Sequence, residues 1–524
     1  RQIGDLDVVK VKQTNVDNNT SIYGYYVLGN NINIGWTKPM MASLTYNGTV
    51  KNWEANFGFR GTFDGLGHTI SGFAVNTFGM FGHVGKGAVI KNVKFDKFKY
   101  NGQYNGGLFG GTVRGAEITD VTLTNVEYTM PTKDHESVGF FAGRFMQDNK
   151  LTNIKIDATN CDVYSVFGRN ISNNTYTNVE IKVKSFTMLG YNGDAMNDET
   201  MIHELEGVTV YTNETVVLEH ETILLETIAT QIDLSFAIEY IGDTVSLTYN
   251  GKVLGNGALT DGKLNVDLSG LTETGALTFL ASTVKNNVIY TFDVNVILAT
   301  KIIRRVEDLD VVKVTQTNVD NNTSIYGYYV LANDINVNWS KPMTASLTYN
   351  DTVKNWEANF GFRGTFDGLG HTISGFAVNT FGMFGHVGKG AVIKNVKFDK
   401  FKYNGQYNGA LFGGTVRGAE ITDVTLSNVE YVNVKDTSLI HTQGFFASRF
   451  MQDNKLTNIK IDASGYDVYT AFGYNITNNT YSNVEIKVKS LTTLGFNGNT
   501  VSEATMIHEL DGVTVITADA TTGA

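Results

Sequence analysis

The chain has 524 residues and a formal net charge of −11, with 3 prolines against 55 glycines. A chain of this length exceeds what one hydrophobic core supports, so three or more domains are expected. The acidic residues are spread along the chain without a basic patch, which excludes nucleic acid as an expected partner. No apolar run reaches the length of about 18 residues that a membrane-spanning helix requires. We therefore expect no membrane-spanning segment in this fragment.

The sequence contains two copies of one unit. Residues 50–123 return at 353–426 at a constant offset of 303 (353 − 50), and the single change is Gly107 to Ala410. After a gain of two residues in the loop 432–443, the copies continue at an offset of 305 (444 − 139). Abundant Val, Ile, Thr, Tyr and Phe without a sustained helical period predict an all-β chain with little helix.

The duplication sets the expected domain boundaries. We predict a first unit at 1–212, with a cap and first strands at 1–58, and a spacer at 213–302. A second unit follows at 303–517, and the start of a further linker or spacer at 518–524. The cap would cover the first strands of the unit, with Trp36 and Trp53 as its large apolar residues. The chain starts at Arg1 and ends on a segment similar to the one that follows the first copy. We interpret it as a piece of a longer tandem array, in which missing targeting signals carry no information.

A shorter repeat recurs inside each unit. Stretches such as IKNVKF, ITDVTL and LTNIKI share an apolar residue, a turn-forming Asn, Asp or Gly, and an apolar–x–apolar strand. Their central apolar residues are spaced by 20, 28, 33, 25 and 29 positions: Phe73, Val93, Val121, Ile154, Val179 and Val208. Repeats of this size predict the coils of a solenoid, whose core forms by stacking. One polar residue per coil is expected to turn a corner in the left-handed conformation and to hydrogen-bond to the next coil: Asn92, Asp120, Asn153 and Asn178.

The motif GTFDGLGHTISGF, followed by GLFG and I-x-N-V elements, resembles the GLUG-type right-handed parallel β-helix of bacterial surface proteins. The resemblance extends over Asp5–Val210 and Asp308–Val515. It implies two solenoid domains and an extracellular location on a bacterial cell surface. The motif is specific for a fold and not for an activity.

The segment 213–302 has a different pattern. Alternating strands such as DTVSLTYNGKVL are joined by Asn250–Gly251 and Asp261–Gly262, which favour hairpin turns. A cysteine-free segment of this length predicts a small antiparallel β-sandwich, and it resembles the Ig-like spacers of bacterial surface proteins. The expected fold class is therefore all-β, with two right-handed parallel β-helix (solenoid) domains separated by an Ig-like β-sandwich.

The motif FDGLGH contains one pair of residues suited to catalysis. Asp64 and His68 could act as acid and base. A tight turn between strands requires the same residues, because a carboxylate caps backbone N–H groups and glycine permits the bend. We favour the structural turn, formed in the two copies by Asp64, Gly65 and Gly67 and by Asp367, Gly368 and Gly370.

No motif specifies a cofactor or a metal site. His203–Glu204 lacks the second histidine of a zinc motif. Scattered Asp, Asn and Gly leave a structural calcium ion open, although no EF-hand loop or nonapeptide repeat occurs. Cys161 is replaced by Tyr466 in the second copy, so we interpret this cysteine as a bystander.

The loop Phe95–Gly106, which returns at Phe398–Gly409, is the predicted ligand-binding segment. Tyrosines among amide side chains suit a sugar, because the ring stacks on its apolar face and the amides bond its hydroxyl groups. The alternative is that the rings fill the interior of the coil. The candidate residues are Tyr100, Asn101, Gln103 and Tyr104, and in the second copy Tyr403, Asn404, Gln406 and Tyr407.

Three functions follow as hypotheses. The first is a non-enzymatic bacterial cell-surface protein, an adhesin or stalk whose tandem units bind a glycan or a host or matrix surface with added avidity. The second is a structural subunit of an extracellular filament, sheath or virion appendage, whose partners are neighbouring copies. The third is a polysaccharide lyase or hydrolase, which would need carboxylates on adjacent coils facing one groove.

Overall fold

The computed structural model describes most of the chain: residues 2–37, 39–40, 42–45, 57–75, 78–100, 106–128, 138–193, 196–348, 360–378, 380–404, 409–433, 435, 442–498 and 500–518. Strands account for 55% of the residues and helices for 7%, which confirms the all-β prediction. None of the helices within these ranges combines the length and the apolar surface needed to cross a lipid bilayer.

The first unit is built mainly from short and long β-strands that follow two short helices. Its described elements are a 3-10 helix Ile3–Val9, α1 Gln13–Asp17, β1 Ser21–Ile22, β2 Tyr25–Val27, β3 Ile32–Asn33, β4 Gly58–Phe59, β5 Thr62–Asp64, β6 Thr69–Val75, β7 Gly82–Val84, β8 Val89–Tyr100, β9 Gly110–Arg114, β10 Glu117–Tyr128, β11 Ala142–Gln147, β12 Lys150–Ser165, β13 Ile171–Ser172, β14 Thr175–Met188, β15 Gly190–Tyr191, β16 Met201–Ile202 and β17 Val208–Thr215. Two parallel sheets result, in the orders β1-β4-β7-β9-β11-β13 and β2-β5-β8-β10-β12-β14-β17.

The parallel register follows the short repeat. The predicted central residues lie side by side on β8, β10, β12, β14 and β17, in the order Val93, Val121, Ile154, Val179 and Val208. Because parallel neighbours in register place side chains of the same kind above one another, these apolar residues form one continuous row. The row is buried except at Val208, which is partly buried.

The first predicted step is wrong. Phe73 on β6 pairs with Phe98 and not with Val93. The reason is that β8 is long enough to serve two neighbours: its first residues pair with β5, as Ile90 does with Phe63, and its later residues pair with β6. A bend with positive φ at Lys97 separates Val93 from Phe98 within this strand.

The interior of the first unit contains a row of packed aromatic rings and the buried amide of Asn149. Phe81, Phe109 and Phe141 are fully buried, and their ring centroids follow one another at 5.7 and 5.1 Å. Asn149 is 2% exposed and donates hydrogen bonds of 2.9 and 3.0 Å to the carbonyl of Val113 and to Asn174 Oδ1. The first of these bonds satisfies a backbone carbonyl of β9, and Asn149 Oδ1 also accepts from the backbone N–H of Ala116 at 3.0 Å.

The spacer has its own core and a mixed sheet. Its elements are β18 Ile223–Glu226, β19 Gln231–Asp233, a 3-10 helix Ser235–Ala237, β20 Val245–Tyr249, β21 Lys252–Gly257, β22 Lys263–Asn265, β23 Gly275–Lys285, β24 Val288–Ala299 and β25 Lys301–Ile303. Strands β20, β21, β23 and β24 pair in antiparallel fashion, with a hairpin at Asn250–Gly251. Strand β18 pairs with β24 in parallel, which the sequence pattern did not predict.

The second unit repeats the elements of the first. They are a 3-10 helix Val306–Val312, α2 Gln316–Asp320, β26 Ser324–Ile325, β27 Tyr328–Leu331, β28 Ile335–Asn336, β29 Gly361–Phe362, β30 Thr365–Asp367, β31 Thr372–Val378, β32 Gly385–Val387, β33 Val392–Asn404, β34 Gly413–Arg417, β35 Glu420–Ser427, β36 Glu430–Val432, β37 Ala447–Gln452, β38 Lys455–Thr470, β39 Ile476–Thr477, β40 Thr480–Thr493, β41 Gly495–Phe496, a 3-10 helix Glu503–Thr505, β42 Met506–Ile507 and β43 Val513–Thr517.

Both units are joined to the spacer through paired strands. Residues Thr212–Thr215 at the end of β17 pair in parallel with β24, and β25 pairs in parallel with β27 of the second unit. The boundaries expected at 212 and 302 therefore both lie within strands. Each segment still has a hydrophobic core of its own, so the joints are sheet extensions between separately packed bodies.

Candidate functional site

The structure corrects the prediction that Tyr100 and Tyr403 contact a ligand. Their side chains are 2% and 0% exposed, and their hydroxyl groups donate hydrogen bonds to the carbonyls of Phe140 and Phe445. Alternation along β8 places Tyr100 on the same inward side as Phe98. Burial raises the pKa of both hydroxyl groups well above its usual value. These two tyrosines are core residues. This agrees with the alternative interpretation of the loop, in which its rings fill the interior.

Of the remaining candidate residues in the predicted loop, Asn404 alone lies within the described residues. Asn404 is exposed at the end of β33. The other candidates lie outside the described residues: Asn101, Gln103, Tyr104, Gln406 and Tyr407.

The FDGLGH turn surrounds a carboxylate with donors. Asp64 is 3% exposed, and it accepts hydrogen bonds of 3.0 Å from the backbone N–H of Leu66, 3.0 Å from Asn92 and 2.8 Å from Tyr25 Oη. Lys91 Nζ lies 3.4 Å from Oδ2. Burial alone would raise the pKa of Asp64, but these donors outweigh it and lower the pKa to about 2.

The glycines of this turn meet two different requirements. A Cβ at Gly65 would lie 2.4 Å from the carbonyl oxygen of Asn92, so the close approach of the neighbouring strand β8 demands glycine. Gly67 has φ +80°, a left-handed conformation that favours glycine. In the second copy Asp367 has the same donors, from Leu369, Asn395 and Tyr328. Gly368 and Gly370 meet the same two requirements there.

Asp64 and His68 have different partners. His68 Nδ1 lies 3.3 Å from Asn31 Oδ1, whereas Asp64 is held by the donors described above. A general base needs a carboxylate that faces the substrate and a pKa suited to proton transfer near neutral pH. The geometry around Asp64 is that of a structural turn.

The polar corner residues take the left-handed conformation. Asn92, Asp120, Asn153 and Asn178 have φ values between 52° and 54°. Asn153 donates to Asp120 at 2.9 Å and Asn178 donates to Asn153 at 3.0 Å, so three of them form a ladder. Asn92 instead donates to Asp64 at 3.0 Å, which links the ladder position to the turn.

An exposed tryptophan occupies the same position in each unit. Trp36 is 51% exposed and Trp339 is 53% exposed. This corrects the interpretation of Trp36 as an apolar residue of the cap; Trp53 lies outside the described residues. Trp339 lines an open pocket of about 440 Å³ together with Asn336, Asn338, Ser374, Gly375, Asp399, Lys400, Asn428 and Glu430.

The first unit has nearly the same set of residues at these positions. At an offset of 303, the counterparts are Asn33, Gly35, Trp36, Ser71, Gly72, Asp96, Lys97, Asn125 and Glu127. The single difference is Gly35 in place of Asn338. We call the set that lines the pocket of the second unit, and the corresponding set of the first unit, the tryptophan pocket of its unit.

Each tryptophan has an unusual backbone conformation. Trp36 has φ 60° and Trp339 has φ 56°, in a region that bulky residues rarely adopt. The backbone N–H of Trp339 donates to the carbonyl of Gly375 at 2.6 Å, and Asn336 Oδ1 accepts from the backbone N–H of Asn338 at 2.8 Å. These bonds hold the turn that presents the ring to solvent. Strain of this kind costs stability and is concentrated at functional sites.

Carboxylates and amides line the pocket together with Trp339. Asp399 Oδ1 accepts from Ser427 at 2.6 Å and from Asn428 at 2.7 Å, and Lys402 Nζ lies 3.1 Å from Glu430. In the first unit, burial favours a raised pKa for Asp96, but hydrogen bonds from Thr124 and Asn125 outweigh burial, so the pKa of Asp96 is lowered. That carboxylate is therefore an ionised acceptor at neutral pH.

The pocket combines an exposed ring face with acceptors and one cation, Lys400. A sugar presents an apolar face of C–H groups together with hydroxyl groups, and this arrangement matches it. The sequence contains a pattern that could have indicated the exposure of these tryptophans. Trp36 and Trp339 each follow an alternating strand with outward asparagines, in NINIGW and DINVNW, and an apolar capping role does not require asparagines beside the ring.

Comparison with known proteins gives no relative. No protein-family model, no curated protein and no solved structure matches this chain. Function therefore has to be inferred from the chemistry of the pocket.

Proposed function

We propose that the chain is a non-enzymatic, extracellular protein of a bacterial cell surface, and that each unit binds a glycan at its tryptophan pocket. In this proposal the units are right-handed parallel β-helices of the GLUG type and the spacer is an Ig-like domain. The stacked parallel sheets of the two units and the largely antiparallel sheet of the spacer support this architecture.

One observation carries the functional proposal. Trp36 and Trp339 are held in a strained left-handed conformation and are more than half exposed, although burial of an indole would favour folding. A chain that needed tryptophan for its core would not place it this way in both copies. Retention of the ring beside Asn, Asp and Lys favours recognition of a sugar surface.

Duplication fits an adhesive role. Two pockets on one chain convert the second binding event into an intramolecular one, so that overall affinity on a dense glycan or matrix surface exceeds that of either pocket. Weak single sites would then suffice for attachment to a host or matrix surface.

A glycan array tests the proposal. The full chain is compared with Trp36→Ala, Trp339→Ala and the double variant. We expect each single variant to bind the recognised glycan class at least about tenfold more weakly, a loss of about 1.4 kcal/mol, and the double variant to lose binding.

Tyr23 and Tyr326 provide the matched control, because they are exposed aromatic residues, at 65% and 63%, outside the pocket. Tyr23→Ala with Tyr326→Ala should leave glycan binding unchanged. If the tryptophan double variant binds as the parent does, the pocket is not the glycan site and the proposal fails.

One further observation favours a second candidate, a polysaccharide hydrolase or lyase. Asp399 and Glu430 belong to neighbouring strands, β33 and β36, and both line the pocket. Glycoside hydrolysis uses two carboxyl groups, of which one must hold a proton at working pH. Glu430 is paired with Lys402, and Asp399 accepts hydrogen bonds from Ser427 and Asn428, so both carboxyl groups are held by donors. These features favour binding over catalysis.

An activity assay separates the two candidates. The full chain is incubated with the polysaccharide class it recognises, and new reducing or unsaturated ends are measured. No release is expected. Release that disappears in Asp399→Asn with Asp96→Asn, while binding persists, would establish the enzyme instead.

A further inference from the structure

Equivalent residues at the first coil of the two units differ in exposure. Val27 on β2 is 51% exposed, whereas its counterpart Val330 on β27 is fully buried. Tyr25 and Leu66 are 63% and 56% exposed. Their counterparts are Tyr328 and Leu369, which pack against a small apolar cluster. We call Tyr25, Val27 and Leu66 the receiving edge of the first unit.

In the second unit the spacer covers this surface. Strand β25 pairs in parallel with β27, with Ile302 beside Val330. Ala299 and Ile302 are buried against Val330, and Leu224 and Ile297 of the spacer pack on the same cluster. The spacer thus supplies both a strand and an apolar face.

Polar contacts fix the position of that strand. The backbone N–H of Thr300 donates to the carbonyl of Tyr328 at 2.8 Å, and that of Ala332 donates to the carbonyl of Ile303 at 3.0 Å. Glu226 of the spacer accepts from the backbone N–H of Ile302 at 3.1 Å and lies 3.1 Å from Lys301 Nζ. This carboxylate holds β25 in place while β25 adds to the sheet.

The first unit has the same receiving residues without the covering strand. Among the described residues, β2 pairs with β5 alone, which leaves one edge of a parallel sheet open beside exposed apolar side chains. Gly29 is the counterpart of Ala332, whose backbone N–H donates to the added strand in the second unit. An open sheet edge with apolar neighbours is a site for strand addition, in which backbone hydrogen bonds supply affinity and side-chain pockets supply specificity.

We propose that the receiving edge binds a spacer of the kind seen at 213–302, through a strand equivalent to β25. The observation that commits the site to this occupant is the second unit, where an almost identical surface is filled by that segment. Such a joint would add a further unit with the same geometry at each step. The proposal does not depend on glycan binding.

The test places a second copy of residues 213–305 directly before Ile3, which reproduces the junction of Arg305 with Val306. Amide hydrogen exchange is then measured at Gly29. Its N–H is expected to exchange as slowly as that of Ala332, because it would gain the equivalent bond to the added strand. In the parent chain the Gly29 amide is expected to exchange fast.

Val27→Asp is the decisive variant. In the parent it should leave the fold and the fast exchange at Gly29 unchanged, because the side chain is half exposed at the open edge. In the extended chain it should restore fast exchange at Gly29, since the aspartate would be buried against an isoleucine. Val8→Asp, at a position 54% exposed and outside the edge, is the control and should change neither.

Two results would overturn the proposal. One is fast exchange at Gly29 in an extended chain whose added spacer is folded. The other is a parent chain that dimerises in sedimentation experiments through the edge, with loss of the dimer in Val27→Asp, which would make a second copy the occupant. If the extended chain fails to fold, a synthetic peptide of Ala299–Arg305 added to the parent must slow exchange at Gly29, and its failure to do so counts against the proposal.

Discussion

The hydroxyl group of Tyr25 donates a 2.8 Å hydrogen bond to the carboxylate of Asp64. Tyr328 and Asp367 make the same contact at 2.7 Å in the second unit. The bond joins strand β2 to the turn at the end of β5. Because Asp64 is 3% exposed and Tyr25 is 63% exposed, the carboxylate receives its donor from the open edge of the unit.

The carboxylates of these turns should make stability depend on pH in strong acid. The pKa of Asp64 is lowered to about 2, against about 3.9 in an unfolded chain. A lowered pKa contributes stability that is complete above the unfolded value and is lost as pH falls towards 2. Asp64→Asn with Asp367→Asn should therefore lower the free energy of unfolding at pH 7 and flatten its decline between pH 4 and 2. Urea denaturation across this range measures the effect, and Asp198→Asn, in an exposed turn, should retain the parent's slope.

Two buried histidines predict a second pH effect at milder acidity. His83 and His386 are 5% exposed, and burial lowers their pKa to about 4 and about 3. An unfolded histidine has a pKa of about 6.5, so the unfolded chain takes up protons first as pH falls below that value. Stability should decline from pH 6.5 towards pH 4. The decline should be smaller in His83→Gln with His386→Gln, and an unchanged slope in urea denaturation would contradict this assignment.

Tyr403→Phe should separate a structural role from a binding role. The hydroxyl group is buried and donates to the carbonyl of Phe445 at 2.6 Å. That carbonyl also accepts from the backbone N–H of Leu411 at 3.0 Å, so removal of the hydroxyl group takes away one of its two donors and should cost about 0.5–1.5 kcal/mol in the free energy of unfolding. Chemical denaturation measures the cost, and glycan binding at 25 °C should be unaffected. Tyr326→Phe, at an exposed tyrosine, should change neither property.

The corner ladder should depend on backbone conformation as well as on hydrogen bonds. Asn153 has φ 53° and lies between Asp120 and Asn178 in the ladder. Asn153→Ala should destabilise the chain through both effects, with about 1–2 kcal/mol from the left-handed backbone alone. Asn153→Gly loses the hydrogen bonds but tolerates this φ, so it should be the more stable variant. Equal unfolding free energies for the two variants would show that the backbone conformation is not limiting.

The backbone conformation of Trp339 should lower the stability of the chain, while the ring that it presents is required for binding. Trp339→Gly removes the ring and also the cost of φ 56°, whereas Trp339→Ala removes the ring alone. The glycine variant should therefore be more stable than the alanine variant by about 1 kcal/mol, and both should lose binding at this pocket. Urea denaturation and glycan titration of the two variants measure the two properties. A glycine variant less stable than the alanine variant would indicate that the backbone at this position is relaxed.

The sequence predicted the strand register wherever that register depends on successive repeats alone. Spacings of 28, 33, 25 and 29 residues placed Val93, Val121, Ile154, Val179 and Val208 correctly, because the strand of each repeat pairs with that of the next and parallel strands align side chains of the same kind. The step from Phe73 failed, because the pattern does not show that β8 is shared between β5 and β6.

The sequence predicted the candidate site less well than the strand register. An alternating strand predicts two faces but does not say which is inside. The burial of Tyr100 in contrast to the exposure of Trp36 follows from which residues pack into the hydrophobic core. Likewise, Val27 and Val330 stand in equivalent sequence contexts and differ in environment because β25 covers one of them.

The sequence by itself determined the duplication, the all-β class and the corner positions, since these depend on spacing and on the conformational preferences of single residues. Only the tertiary structure decided which aromatic rings face solvent, which carboxylates are held by donors and which sheet edge stays open. Those properties arise from contacts between residues about 25 to 40 positions apart or more, such as Tyr25 with Asp64, and no local pattern contains them.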